Sequence, residues 1–347
     1  MKRQVVVGRR NGGAPAKTSA GQALIRGTAR WAWSHRENLG LIPAIAALAI
    51  VGTLVNSAFL TPINLINIAN GSAVLAFVVA AESIVIIAGQ FDLSLEGTLA
   101  FAPMFGAWLM TAHAPGSGIG LNPLVAVAVT IATGAAIGLV NGLLVVGLGL
   151  SSFLVTLAMQ ILLHGLSYSL TAGLTIEQPP APFVWLGGQN VGIVPVGVIA
   201  AAILFIVASL FLHYHKYGRF IYAIGGNRVA ARAAGIRVAR VWIAIFVVSG
   251  ALGAIGGLVL SGQVDAATVD QGTGITLTMF AAAAIGGINL GGGRGYLWGA
   301  ALGVILLGMI TDVMTLAQVP SQVILAIQGA IVLAALVVNR WFAGRYV

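Results

Sequence analysis

Long apolar runs, broken by short polar, Pro-rich and Gly-rich segments, follow one another along most of the chain. Cutting at the breaks gives stretches near 39–59, 63–88, 93–112, 123–148, 151–172, 193–213, 241–262, 275–290, 295–316 and 320–340. A helix that crosses a bilayer needs roughly 20 apolar residues. The pattern therefore predicts an all-α, polytopic membrane helical bundle of about ten transmembrane helices. The run at 275–290 is short for a full crossing and reads as a broken or re-entrant helix. Small residues recur every fourth position at Gly134, Gly138 and Gly142, at Ser249, Gly253 and Gly257, and at Gly295, Gly299 and Gly303. Such smooth faces let neighbouring helix backbones approach closely.

Polar positions inside the runs are fewer and more telling, because a polar group in lipid must face protein or a wet cavity. Ser152, Thr156, Gln160, His164, Ser167 and Thr171 recur at spacings of three and four. At about 100° per residue they share one sector of a helix. A neutral stripe of hydroxyls, amide and imidazole suits a pathway for a hydroxyl-rich solute, with interhelical hydrogen bonding as the alternative. A weaker stripe runs through Asn64, Asn67, Gly71 and Glu82. Glu82 is open to three readings: proton relay, substrate ligand or buried structural acid. The translocation pathway is thus expected at Asn64, Asn67, Glu82, Ser152, Thr156, Gln160, His164 and Ser167. Asp92, two residues before Ser94, is expected to cap a helix at a span junction.

Composition agrees with lipid as the solvent. Of 347 residues, 59% are hydrophobic and only 7% charged, against about 25% charged in soluble domains. The sign pattern adds orientation. No Lys or Arg occurs between Arg36 and Lys216, and the 17 basic residues fall in a head, a cluster at Lys216 to Arg240, Arg294, and a tail with Arg340 and Arg345. Lys and Arg collect on the cytoplasmic side. An even number of spans with the head inside puts all these groups inside, so both termini are expected to be cytoplasmic. The chain divides into a basic, flexible N-terminal tail (1–38), a permease domain (39–340) with its inner loop at 214–240, and a C-terminal tail (341–347). The net charge of +9 serves topology and anionic headgroups rather than nucleic acid. Cysteine is absent, which excludes disulfides and thiolate metal sites; no metal site is expected.

The inner loop carries a capping pattern. Asn227 is placed to start a helix and Gly235 to stop it. The two turns between them are too short to be stable alone, and Arg228 sits where the helix dipole disfavours a cation. Such a helix makes sense against an acidic partner.

Gly218-Arg219-Phe220-Ile221-Tyr222-Ala223-Ile224-Gly225-Gly226-Asn227, followed by Ala230-Ala231-Arg232 and Gly235-Ile236, resembles the cytoplasmic loop of ribose-type ABC importer permeases, within the branched-chain-amino-acid/ribose permease superfamily. Phe91-Asp92-Leu93-Ser94 is similar to that family's Asp-Leu-Ser motif. Ala284-Ile285-Gly286-Gly287 with Gly291-Gly292-Gly293-Arg294-Gly295 resembles its glycine-rich late segment. The likeness runs over about 60–340. It implies a permease subunit in the bacterial inner membrane that pairs with a second permease subunit, a separate ABC ATPase and a periplasmic or lipoprotein sugar-binding protein. It also implies that Arg219, Gly225, Gly226, Asn227, Ala230, Arg232 and Gly235 dock the ATPase. The chain departs from the pattern at Glu96 and at 263–274.

No phosphate-binding loop, metalloprotease motif or nucleophile elbow is present. The chain is therefore expected to be a transport subunit without its own ATPase and without a bound cofactor, ATP-Mg residing on its partner. The rival reading is a proton-coupled secondary transporter using Glu82 or Asp312. Neutral polar walls suit ribose, xylose, another sugar or a polyol.

Overall fold

A computed structural model describes residues 41–343; the tail at 1–38 and residues 344–347 of the tail at 341–347 lie outside the described residues. Helices α1 (Leu41–Val55), α2 (Pro62–Ile87), α3 (Ser94–Met110), α4 (Pro123–Gly147) and α5 (Ser152–Thr171) come first. A loop region follows with β1 (Ile176–Glu177), α6 (Ala181–Gly188), β2 (Asn190–Val191) and β3 (Val194–Pro195). Then come α7 (Val196–Tyr214), α8 (Lys216–Gly226), α9 (Arg228–Ala233) and α10 (Val238–Val264). The described residues end with β4 (Ala266–Ala267), α11 (Ile275–Ile285), α12 (Leu297–Leu316) and α13 (Ser321–Ala343).

Local chemistry sets the ends. Thr61 and Asn122 accept backbone N–H bonds ahead of Pro62 and Pro123, so a side-chain cap and a proline in the first turn start α2 and α4 together. Six described helices (α2, α4, α5, α7, α10 and α12) are long and apolar enough to cross a membrane, and α1, α11 and Ser321–Ala334 of α13 are shorter apolar helices. The protein is a polytopic helical membrane protein. Its outer faces present Leu54, Ile63, Leu124, Phe153, Leu154, Ile161, Ile203 and Leu210 to the surroundings, as a surface solvated by lipid requires.

The bundle is organised around α2, α3 and α10. Gly138 and Gly142 of α4 pack on Phe246 and Ile243 of α10, and Gly134 meets Gly250 there backbone to backbone. Gly253 and Gly257 of α10 turn the other way, against Leu95, Leu99 and Pro103 of α3. Gly303 of α12 rests on the Ala282 carbonyl of α11, and Gly286 on Ala300. Most of these small residues thus sit where neighbouring helices touch, and a methyl group at Gly134, Gly138, Gly257 or Gly303 would overlap backbone; Gly295 instead precedes α12, at a φ of 136°.

At one end of the bundle the 88–93, 148–151, 214–237 and 286–296 segments gather; the Gly293 N–H donates to the Ile87 carbonyl (2.8 Å) and the Trp242 indole to the Ala88 carbonyl (3.2 Å). At the opposite end, β1 pairs antiparallel with β4 (Ile176 with Ala267), and the Gln178 N–H donates to the Asp265 carbonyl. These short ladders depart from an all-helical fold. They arise because chain that leaves a helix between spans must still pair its backbone groups. The Pro-rich stretch at 179–182 leads into α6, which opens at Ala181 directly after Pro180.

Helix α11 is half-length, as the short apolar run suggested. Its N-terminus also lies deep. Gly272 meets Leu99, and the Glu96 carboxylate accepts from the Thr276 N–H (3.0 Å) and hydroxyl (2.7 Å). On the far side of α3, Gly97 packs on Gln160, near the middle of α5. The chain therefore dips from the β4 end to mid-bundle before α11 begins.

Candidate functional site

Three constellations stand out. The first is a buried acid cluster where α2 turns into α3. Asp92 is fully buried; its Oδ1 accepts from the Ser94 N–H (3.2 Å) and hydroxyl, and its Oδ2 from the Ser249 hydroxyl of α10 (2.8 Å). Asn141 of α4 donates to Ser94 Oγ (2.8 Å). The Asp92 N–H donates to both Glu82 oxygens, at 3.3 and 3.2 Å. The expected cap is thus also a clamp joining α2, α3, α4 and α10. Glu82, also fully buried, faces this clamp.

The strong stripe on α5 serves the same junction. The Ser152 hydroxyl accepts from the Phe91 N–H (3.2 Å), and Thr156 Oγ1 accepts from the Leu93 N–H (3.0 Å). Further along, the Ser167 hydroxyl donates to its own helix at the Leu163 carbonyl (3.0 Å). Gln160 lies against Gly97, and His164 is half-buried beside exposed Ile161 and Leu162. Within this chain, the lower half of the stripe pairs backbone donors that the α2–α3 turn leaves over. A junction buried in lipid has no water to do so.

The second constellation is the cavity that the weaker stripe lines. It has a volume of about 410 Å³, between α2, the 272–275 segment, α11, α12 and α13. Asn67 and Gly71 line it. Asn64, at its edge, donates to Asp312 Oδ2 (2.7 Å) and to the Phe59 carbonyl (3.0 Å). Glu82 is not part of the lining. Sequence reading missed Ser72, Thr278, Thr311 and Gln328, all lining residues. The signal for one wall was present as Thr311 and Thr315, four apart around Asp312.

The third lies at the basic end. Asn227 accepts from the Val229 and Ala230 N–H groups (3.0 Å each) and starts α9, and Gly235 adopts a positive φ of 82° after it. Both are as the capping pattern predicts. Arg228 lies over the Trp242 ring (5.5 Å), beside a cavity of about 680 Å³ lined by Gln90, Phe91, Gly149, Ser152, Arg232 and Trp242. Arg219, Gly226, Ala230 and Arg232 are exposed, and Val229 is 75% exposed. Gly225 is different. Its Cα lies against the Ile87 carbonyl and the Gly293 N–H, so it belongs to internal packing rather than to a docking face. Helix α8, to which Gly225 belongs, has a pronounced apolar face with Ile221 and Ile224 buried. Its Tyr222 hydroxyl donates to the Gly295 carbonyl (2.8 Å). Burial, and then the neighbouring Tyr296, push the Tyr222 phenol up to about 12, so it remains a donor at any physiological pH.

Residues 64–336 match the model of a family described as the permease component of branched-chain amino acid transport systems, and the chain belongs to that family. It is similar to curated transport proteins over nearly its whole length. The ribose import permease protein RbsC of Escherichia coli strain K12 is 33% identical over 88% of this chain and 94% of its own. The L-arabinose ABC transporter permease protein AraH of Azospirillum brasilense is 27% identical over 89% of each. The D-allose transport system permease protein AlsC of Escherichia coli strain K12 is 29% identical over 84% of this chain and 88% of its own. No solved structure matches.

Proposed function

We propose that this chain is the membrane-spanning permease subunit of an ABC importer that carries a monosaccharide across the bacterial inner membrane. The observation that carries the reading is the likeness to ribose, arabinose and allose permeases over almost the whole of both chains. On this reading the chain makes ten passes, through α1 to α5, α7 and α10 to α13, with α11 completed by the re-entrant 265–274 segment; the six long apolar helices among them support it. With the Arg-rich end inside, both termini face the cytoplasm. The energy comes from a separate ATPase subunit, which meets the exposed face of α9 at Arg228, Val229 and Arg232, with Arg219, Gly226 and Ala230 alongside. A second permease subunit completes the membrane unit, and a sugar-binding protein delivers solute to the β1–β4 end. ATP-driven movement of α9 shifts the bundle between states open to one side or the other. The shift is set by how differently nucleotide and solute bind those states.

The test is uptake of labelled D-ribose, L-arabinose and D-allose by cells expressing the whole transporter. Import that continues after collapse of the proton gradient and stops on ATP depletion is the expected result. The reverse pattern establishes the proton-coupled alternative.

A further inference from the structure

We propose that the cavity between α2, α11, α12 and α13 is a monosaccharide subsite contained within a single permease subunit; this rests on the sugar-import reading. Its volume of about 410 Å³ is in the range of roughly 300–1,000 Å³ typical of small-molecule sites. Its polar walls come from Asn67, Ser72, Thr278, Thr311, Asp312 and Gln328. Ser72 is only 7% exposed, and its hydroxyl has no hydrogen-bond partner. Glycine at 308 gives that hydroxyl its space, since a Cβ there would overlap it. A buried hydroxyl left unpaired is unfavourable. Among the buried polar atoms without a partner, Ser72 Oγ is the one whose residue lines this cavity.

The charges define the ligand class. The N-terminus of α11 reaches the cavity floor through Gly274, Ile275 and Thr278. A free helix N-terminus would favour an anion. Here the Glu96 carboxylate already accepts from the Thr276 N–H, so this positive pole is answered from within the chain. Asp312 is the ionisable residue among the lining residues, and a carboxylate repels an anion while accepting bonds from hydroxyl groups. Hydroxyl, amide and one acceptor-only group together match a neutral polyol.

The route is open at one end. Asn67 lies near the start of α2, Asp312 near the end of α12 and Gln328 near the start of α13. All three are at the β1–β4 end, while Thr278 marks the mid-bundle floor. The geometry is that of a vestibule loaded from the side where the binding protein is expected.

The chain has no cysteine, so a single introduced thiol reports without background. Gly71 lines the cavity, and a Cβ added there meets nothing within 4 Å. In the whole transporter in right-side-out vesicles, G71C is expected to react with an impermeant methanethiosulfonate. The sugar that the wild-type complex imports, among D-ribose, L-arabinose and D-allose, should slow this reaction about tenfold at some ten times its dissociation constant. Gly71→Leu, which fills the space, should abolish uptake, whereas Gly165→Leu, equally open but on α5, should not. Labelling that the imported sugar leaves unchanged, protection by sodium alone, or wild-type uptake in Gly71→Leu would overturn the subsite while leaving the sugar-import reading intact. A wild-type complex that imports none of the three sugars would overturn both.

Discussion

The hydroxyl of Ser249 donates to Oδ2 of Asp92 at 2.8 Å across 157 positions of sequence. This bond fixes α10 to the turn between α2 and α3. Ser249→Ala should therefore lower stability by about 1–3 kcal/mol, the cost of leaving a buried acceptor short of a partner. Asp92→Ala should cost more, because it orphans Ser94 and Ser249 together. The double variant should fall well short of the sum, since both changes break one network. Thermal unfolding of the purified chain in detergent measures all three.

Thr156→Val keeps shape but removes the acceptor for the Leu93 N–H. The expected outcome is a loss of about 1–3 kcal/mol in stability with the half-saturating sugar concentration unchanged. A shift in sugar selectivity at unchanged stability would instead mark the stripe on α5 as a pathway lining. Uptake kinetics and melting temperature on the same preparation separate the two.

Gly138→Ala places a methyl group on the Phe246 carbonyl, and overpacking of this kind costs roughly 1–3 kcal/mol. Gly165→Ala has open space around it and should gain about 0.5–1 kcal/mol from helix propensity. Comparison of the two by thermal melting isolates close approach from propensity.

Arg232→Glu reverses a charge on the exposed face of α9. We expect normal insertion and melting temperature, with uptake uncoupled from ATP hydrolysis. Gly225→Ala is expected to damage assembly itself, because a Cβ there runs into the backbone at Ile87 and Gly293. Measuring expression, ATPase activity and uptake for both variants distinguishes a docking residue from a packing one.

Much of this organisation was legible in the order of residues. Run length marks the helices within a few positions, including the short α11, because lipid imposes the same length on every full crossing. Asn227 and Gly235 act locally, so the start and stop of α9 were readable too. The destinations of polar groups were not. Ser152 and Thr156 sit on one sector as a pathway lining would, but a periodic stripe cannot distinguish a solute from a neighbouring turn that needs acceptors. The Asn64–Gly71 stripe looked weaker, yet Asn67 and Gly71 line a cavity of about 410 Å³ whose other three helices lie more than 200 positions away. Glu96, which the resemblance marked as a departure, finds its reason only in Thr276, 180 positions distant.

At the Arg-rich end, Gly89, Gly225, Gly226, Gly292 and Gly293 bring three strands of main chain into direct apposition. Bare peptide meeting bare peptide leaves no compliant cushion between them. A displacement imposed on the α8–α9 hairpin would accordingly reach the base of α2 and the root of α12 as one stiff lever stroke, moving both walls of the vestibule in the same instant.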